Sequence, residues 1–231
     1  DVPVTSAIYA PTIKKDVPQV VDYSRIYPIE VSLKNHMNDN QEERVFFCDK
    51  GFFNLFTFPL ERGDPETALV EPYSVVITKK AALAYFGEEY PLDSMLEMEW
   101  GDEIKMFRVT GILDELPTQS HFQFDVLASF ETLEELMPER LKTWLNNYLY
   151  SYILLHKDAT PDDAKPKLMN IVEEYIAPAY AAFLPDAKAL DKIHDIYQIT
   201  LRPVEDIHLN ANLMWEIEPQ GNMTSVYIFS I

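Results

Sequence analysis

The sequence is organised around a phenylalanine-rich stretch, residues 45–87, VFFCDKGFFNLFTFPLERGDPETALVEPYSVVITKKAALAYFG. The apolar run Val45–Cys48 predicts a strand, and Asp49 is a candidate N-cap because a carboxylate can accept from the free N–H groups of a first helical turn. Aromatic residues then recur at helical spacing over Phe52–Phe56, and Pro59 ends this predicted helix. The first half of the stretch therefore predicts a strand followed by a short helix.

The second half of the stretch predicts a turn, a strand and a capped helix. Gly63–Pro65 has the residue types of a turn, and Ser74–Ile77 predicts a second strand. Thr78 can cap the helix that continues to Phe86. Gly87 then stands where a helix end favours a left-handed residue. Because each local signal agrees with its neighbours, we expect a rigid folded unit here.

The motifs at residues 46–65 and 74–87 are followed by three more, in a fixed order. These are Phe107–Leu113, Pro117–Asp125 and Ile207–Leu209. The ordered set resembles the MacB-like periplasmic core domain, the extracytoplasmic part of permeases in the MacB/FtsX class of ABC transporters, especially the Bacteroidetes-type ones. The resemblance spans nearly the whole chain, from about Arg25 to Ile231.

Strand–helix–strand patterns occupy both ends of the chain, Val2–Leu33 and Tyr148–Arg202, with a mostly β segment between them. Two α+β halves of this kind can form one small domain around an inserted one. The resemblance implies a porter-like β-α-β subdomain, residues 1–40 and 146–231, into which a mixed, mostly β sabre-like subdomain, residues 41–145, is inserted. The expected fold class is therefore α+β with two subdomains.

The remaining elements follow from period-two alternation, capping residues and proline positions. The predicted strands are Val2–Tyr9, Val20–Tyr27, Ile29–Leu33, Ser94–Trp100, Glu103–Leu113, His121–Ala128, Tyr148–His156, Asp195–Arg202 and Leu213–Ile217. The predicted helices are Thr12–Val17 opened by Pro11, one opened by a capping box at Thr132–Glu135 and interrupted by Pro138, and one capped by Thr160 whose apolar face is Ala164, Leu168, Ile171, Val172 and Tyr175. The predicted connections are a polar loop at Lys34–Glu43, a II′ turn at Gly101-Asp102, and a helical or irregular segment at Ala177–Asp191.

Composition limits the partners that this chain can have. With 231 residues, 47% of them hydrophobic and 13% aromatic, it can bury a substantial core. The net charge of -19 argues against binding nucleic acid or an anionic lipid surface, which would repel it. It permits a cationic ligand or partner, although most acidic surfaces are simply solvated. The single cysteine, Cys48, lies in an apolar strand and is expected to be a small buried side chain.

The sequence also carries expectations about the membrane. No run reaches the roughly 20 apolar residues that span a bilayer. The segment Val226–Ile231 is apolar, and it is either an ordinary C-terminal strand or, as in the resembled family, the beginning of a second membrane helix. Because the chain starts at Asp1 without Met or a signal peptide, we expect an excised fragment. The resemblance implies that it comes from the periplasmic side of the bacterial inner membrane.

The sequence lacks the familiar catalytic and cofactor motifs, so no catalytic, cofactor-binding or metal-binding residues and no cofactor are predicted. Its six glycines are not spaced as a dinucleotide fingerprint, a P-loop or a nucleophile elbow. The histidines His36, His121, His156, His194 and His208 never pair at i+3 or i+4, and only Asp206 with His208, or His194 with Asp195, could join a site.

The acidic pairs Glu88-Glu89, Glu134-Glu135 and Glu173-Glu174 are expected on solvated helix faces. The aromatic residues Phe52, Phe53, Phe56 and Phe58 are expected in the core rather than in an exposed partner patch.

Three functions remain open at this stage. The first, implied by the resemblance, is the extracytoplasmic domain of an ABC transporter permease, not itself an enzyme, whose partners are flanking membrane helices, a cytoplasmic ATPase, and a second permease copy or a periplasmic protein. The second is an extracytoplasmic binding module for a cationic peptide or similar ligand, drawn by the charge. The third is a secreted hydrolase that uses clustered carboxylates, and a pair with separated pKa values would favour it.

Overall fold

The computed structural model of the protein describes residues 2–34, 40–87, 90–114, 116, 120, 122–182, 193, 197–206 and 217. Helices α1 to α6 are Tyr9–Asp16, Phe52–Leu55, Lys79–Phe86, Glu131–Leu136, Pro161–Ile171 and Ala177–Ala181. Strands β1 to β9 are Val4–Thr5, Val20–Lys34, Asn40–Cys48, Leu60–Gly63, Ser74–Thr78, Met95–Trp100, Glu103–Leu113, Val126–Ser129 and Leu149–Leu155. A π-helical segment, Val172–Ile176, joins α5 to α6, and short 3-10 helices cover Arg140–Lys142 and Val204–Asp206.

The chain divides into two compact units. Unit 1 consists of Asp1–Asp22 and Lys142–Ile231, and unit 2 is the inserted segment Tyr23–Leu141. Strands of a mixed sheet predominate over the few helices, which confirms the predicted α+β class. The porter-like and sabre-like subdomains, with boundaries after residues 40 and 145, stay predictions.

The core of unit 1 is built from one face each of α1 and α5. Tyr9, Ile13 and Val17 lie four residues apart at α1, and Ala164 and Leu168 lie four apart on α5. This spacing puts each set on a single side of its helix, and all five side chains are buried. Burying a side chain such as that of Ile13, Val17 or Leu168 stabilises the fold by about 1.5–3 kcal/mol. The predicted apolar face is confirmed, since Ile171 and Val172 are buried as well and Tyr175 packs against the same core.

The first helix starts earlier than the sequence suggested. The predicted strand Val2–Tyr9 is only β1, which pairs with β9, and α1 already begins at Tyr9 rather than Thr12. The phenol ring of Tyr9 is buried against the indole of Trp144, with 5.2 Å between ring centroids. Pro11 is tolerated because it lies in the first turn, where its missing N–H costs nothing.

Unit 2 is organised by a circuit of paired strands. The pairings are β2–β3, β3–β8, β8–β5, β5–β7, β7–β6 and β6–β2, and β4 adds to β7. Inside the circuit, the ring of Phe47 lies 5.8 Å from that of Trp100 and 6.2 Å from that of Phe107. Every residue of β5 and β8 is buried, so both faces of these strands are covered.

Most strands of unit 2 follow the prediction, and β3, β4 and β8 differ from it. The strands predicted at residues 45–48, 74–77, 94–100 and 103–113 are confirmed, but β3 extends back to Asn40 through the predicted polar loop. Its polar residues pair with those of β2 in one antiparallel ladder. The strand β4 was not predicted. The strand predicted at His121–Ala128 begins only at Val126, as β8.

Local capping and turn signals in this unit were reliable. The Thr78 hydroxyl accepts from the N–H of Ala81 at 3.1 Å, and Gly87 closes α3 with a φ of 70°. At the β6–β7 turn Gly101 has a φ of 59° whereas Asp102 is not left-handed, as a II′ turn requires. These predictions are confirmed.

The capping box predicted at Thr132–Glu135 is wrong. The helix α4 starts at Glu131 without a side-chain cap, and Thr132 is buried inside it. The Thr132 hydroxyl instead accepts from the N–H of Tyr73 at 2.8 Å. The helix does end before Pro138, as predicted, and a short 3-10 helix follows.

The last part of the chain is described only in pieces. The connection predicted at Ala177–Asp191 is helical over α6, and its remainder from residue 183 lies outside the described residues. Residues 197–202 carry no regular strand, so the prediction of a strand at Asp195–Arg202 is wrong for these residues, and Asp195 and Ile196 lie outside the described ones. Of the strand predicted at Leu213–Ile217, all but the last residue lies outside the described residues.

Candidate functional site

A buried ion pair lies just inside unit 2. Arg25 stands on β2 where the antiparallel pairing with β3 ends at Ile26 opposite Cys48, so Arg25 faces Asp49 at the next position. The Asp49 carboxylate accepts three bonds from Arg25, from its backbone N–H at 2.7 Å, from Nε at 2.9 Å and from Nη2 at 2.7 Å. Both side chains are less than a tenth exposed.

The ring of Phe130 packs against the ion pair. The guanidinium carbon of Arg25 lies 3.7 Å from the ring centroid of Phe130, a cation–π contact. The backbone N–H of Phe130 in turn donates to the carbonyl of Cys48. Burial alone would lower the pKa of Arg25, but the hydrogen bonds and charge of Asp49 raise it above its usual value. The guanidinium therefore stays charged, and we call the group of Arg25, Asp49 and Phe130 the Arg25 clamp.

The clamp corrects the role predicted for Asp49. The N-cap of α2 is Gly51, which has no side chain to cap with, and the Asp49 carboxylate is taken up by Arg25 instead. Sequence reasoning missed Arg25 altogether. The available signal was a lone arginine within the alternating strand Val20–Tyr27, where a buried charge needs a partner.

The aromatic residues of the opening stretch form the second cluster of unit 2. Phe52 is fully buried, and its ring contacts those of Phe56 at 5.1 Å, Phe58 at 5.5 Å and Phe122 at 5.9 Å. The rings of Phe53, Phe56 and Phe58 are half-buried. The expectation that these side chains belong to the core is confirmed for Phe52, and the other three rings form the outer edge of the same cluster.

The carboxyl groups of Glu43 and Asp125 lie close together near the start of β3. The Tyr85 hydroxyl donates to Glu43 at 2.7 Å, and Lys80 lies 3.6 Å from Asp125. Burial raises the pKa of Glu43, the Tyr85 hydrogen bond opposes this, and a hydrogen bond and the charge of Asp125 raise it further. These contacts join α3 and β3 to the segment before β8, which gives the pair a structural role.

The other candidate residues fall in structural positions or outside the described chain. Cys48 is fully buried, and burial raises the pKa of its thiol well above the usual value, which confirms the expected role. Of the five histidines only His156 is described, and its backbone N–H donates to the carbonyl of Gln19. His36, His121, His194 and His208 lie outside the described residues, as do Asp195 and Glu88-Glu89.

The described acidic residues do not assemble into a metal site. Within the described ranges, no group of three or more His, Cys, Asp or Glu side chains could hold an ion. The pairs Glu134-Glu135 and Glu173-Glu174 are exposed, as expected of solvated helix faces. Asp206 ends a 3-10 helix, and its expected partner lies outside the described chain.

The sequence matches a known family over most of its length. Residues 2–171 match the profile of the MacB-like periplasmic core domain. The chain belongs to this family. The resemblance proposed from the motifs is thereby confirmed, and the chain is the periplasmic domain of an ABC transporter permease of the MacB/FtsX-like kind. None of the curated proteins matches it.

Solved structures of MacB-like domains share the fold. A domain of a candidate permease protein from Porphyromonas gingivalis is 20% identical, with a TM-score of 0.65 over 75% of this chain and 72% of that one. The periplasmic region of MacB from Actinobacillus actinomycetemcomitans is 15% identical, with a TM-score of 0.55 and 74% coverage of both chains. The extracellular domain of the noncanonic ABC-type transporter YknZ from Gram-positive bacteria is 13% identical, with a TM-score of 0.56 over 76% of this chain and 86% of that one.

The MacB-like domain contains no candidate membrane span among its described helices, since none is both long and apolar enough. The apolar segment Val226–Ile231, for which a strand and a membrane helix were both considered, lies outside the described residues.

Proposed function

We propose that this domain relays motion outward from membrane helices that flank it in the parent permease. In this proposal a cytoplasmic ATPase subunit moves the helices, and the domain passes the motion to a substrate, a periplasmic partner or a second permease copy. The relay serves efflux or mechanical signalling, and the domain itself carries out no catalysis. Membership of the MacB-like family supports the proposal.

The observation that carries the proposal is the connectivity of the two units. The described ends of the chain, Val2 and Ile217, both belong to unit 1, whereas unit 2 is inserted between Asp22 and Lys142. A force applied through either end would therefore act on unit 1, to which unit 2 is joined covalently after Asp22 and before Lys142. A relay of this kind needs stiff bodies, and interiors packed from capped helices and paired strands resist deformation.

The Arg25 clamp gives the inserted unit a fixed structure beside its first connection. Arg25 stands three positions after Asp22, the last residue of the first segment of unit 1. Its three bonds to Asp49 tie this entry strand to the end of β3 within unit 2. A buried pair with this geometry favours one arrangement of the two strands over looser ones.

The proposal can be tested by following unit 2 through the nucleotide cycle. Spin labels are placed at Leu83→Cys in unit 2 and, separately, at Lys157→Cys in unit 1 of the parent permease, reconstituted with its ATPase in liposomes. Both positions are exposed, and the native Cys48 is buried away from the label. Relaxation by a paramagnetic lipid then reports the distance of each label from the bilayer.

A relay predicts that a non-hydrolysable ATP analogue changes the distance of the Leu83→Cys label from the bilayer. The matched control is an ATPase subunit that cannot bind nucleotide, with which the distance should stay constant. If both labels keep their positions while ATP is bound and hydrolysed, the proposed relay is wrong.

A further inference from the structure

The β6–β7 hairpin of unit 2 exposes an unusual face. Directly opposed residues of an antiparallel pair project to the same side, so the register assigns six side chains to it. The hairpin face consists of Met95 opposite Arg108, Glu97 opposite Met106, and Glu99 opposite Ile104. The alternate side chains point the other way, and those of Leu96, Met98 and Phe107 are fully buried.

Three apolar side chains run diagonally across the hairpin face. Met95, Met106 and Ile104 are 47%, 43% and 47% exposed. Met106 is the diagonal neighbour of Met95 and stands two positions from Ile104, so the three form one continuous stripe. The solvent side of an antiparallel sheet is usually polar. A continuous apolar stripe there is typical of an interaction surface, whereas scattered single apolar residues are not.

The charge around the stripe restricts what can cover it. Between Tyr23 and Leu141 the sequence has 23 acidic and ten basic residues. The hairpin face carries the carboxylates of Glu97 and Glu99. Two cations lie at this side of the sheet: Arg108, which is 3.8 Å from Asp93, and Lys34 of β2, which stands opposite Glu97, so the acidic excess of unit 2 as a whole sets the sign of the charge here. Anionic lipid and a second copy of this acidic chain are both repelled from such a surface. Electrostatic complementarity favours a cationic partner.

We propose that the hairpin face binds a basic amphipathic segment of a partner protein. Its apolar side chains lie on the Met95–Met106–Ile104 stripe, and its Lys or Arg side chains lie beside Glu97 and Glu99. The unbranched methionine side chains adapt to differently shaped apolar groups. Six side chains are far fewer than the roughly 20 to 30 residues a side of a stable interface, so the contact is transient. The inference rests on the proposed function for the existence of such a partner.

Fluorescence anisotropy of a short labelled peptide of alternating lysine and leucine tests the inference on the 231-residue chain. The double variant Ile104→Ser/Met106→Ser should weaken binding about tenfold, and Glu97→Gln/Glu99→Gln should weaken it and reduce its salt dependence. The matched control is Leu83→Ser on α3, which removes another exposed apolar side chain of unit 2 and should bind as the wild type does. Circular dichroism shows that each variant is folded.

Several results would overturn the inference. These are no binding of the lysine–leucine peptide, equal binding of a glutamate–leucine peptide, or an equal loss with Leu83→Ser. Sedimentation that shows dimers of the wild type and monomers of Ile104→Ser/Met106→Ser would instead make a second copy the occupant. None of these measurements involves ATP or a membrane, so their failure leaves the proposed relay standing.

Discussion

Arg25 and Asp49 form a buried ion pair, with 2.7 Å between Nη2 and Oδ1, although 24 positions separate them in the sequence. Arg25→Met should lower the free energy of unfolding by about 3–5 kcal/mol, because it leaves the Asp49 carboxylate buried without its partner. Urea denaturation followed by circular dichroism measures this. The double variant Arg25→Met/Asp49→Leu should recover part of the loss, since it removes both charges.

The exposed ion pair of Lys14 and Asp22 is the matched control for that prediction. Its charged atoms lie 2.9 Å apart, but the Lys14 side chain is 41% exposed. Lys14→Met should therefore cost less than about 1 kcal/mol. If Arg25→Met lowered the free energy of unfolding no more than Lys14→Met does, the buried pair would not stabilise unit 2 in the way described. The same would follow if the loss in Arg25→Met/Asp49→Leu equalled the losses in Arg25→Met and Asp49→Leu added together.

The successes and failures of the sequence analysis have a common physical cause. Thr78 and Gly87 were predicted correctly because the groups that they cap lie within four residues of them. Asp49 and Thr132 have equally good capping chemistry, but each is used by a distant residue. The Asp49 carboxylate accepts from Arg25, and the Thr132 hydroxyl accepts from the N–H of Tyr73, 59 positions away. A polar side chain that becomes buried takes the partner that the fold supplies, and local sequence does not contain it.

The hairpin face shows the same division between local and distant information. The alternation from Ser94 to Trp100 and the Gly101 turn predicted the hairpin correctly. Alternation alone does not say which side of a hairpin is buried when both sides carry apolar residues. Only the circuit of strands in unit 2 turns Leu96 and Phe107 inward and leaves Met95 and Met106 outside.

Gly63 is predicted to tolerate no side chain. It has a φ of 94°, and a Cβ added there would lie 2.4 Å from the backbone oxygen of Thr110 where β4 pairs with β7. Gly87 is the matched control, since its φ is 70° but an added Cβ would meet no atom within 4 Å. Gly87→Ala should cost about 1–2 kcal/mol for the left-handed backbone alone. Gly63→Ala should cost clearly more, and thermal unfolding that ranks the two variants the other way would contradict this.

Thr78 should stabilise α3 through its hydroxyl rather than its methyl group. Because the hydroxyl accepts from the N–H of Ala81, Thr78→Ala should lower the free energy of unfolding by about 1 kcal/mol. Thr78→Ser keeps the acceptor and should retain most of the stability. Equal losses in the two variants, measured by urea denaturation, would show that packing of the methyl group is what counts.

Glu43 should make the stability of unit 2 depend on pH. Its pKa is raised by burial and by Asp125, against the opposing hydrogen bond from Tyr85, so the folded state holds the proton more tightly than the unfolded chain does. The free energy of unfolding should therefore fall as pH rises from about 4.3, the ordinary value for glutamate, through the raised folded pKa. Glu43→Gln removes the charge and keeps an oxygen that can accept from Tyr85.

The Glu43→Gln variant should thus be more stable than the wild type at pH 7, and most of the difference should be lost at pH 4, just below the ordinary glutamate pKa of about 4.3, where most of Glu43 is protonated in both states. Glu42→Gln, at the exposed neighbouring position of β3, is the matched control, and its stability at pH 7 should stay close to that of the wild type because substitutions at exposed positions change stability little. Urea denaturation at the two pH values gives the comparison. A gain that is the same at pH 4 and pH 7 would mean that the substitution acts through packing and not through the buried charge.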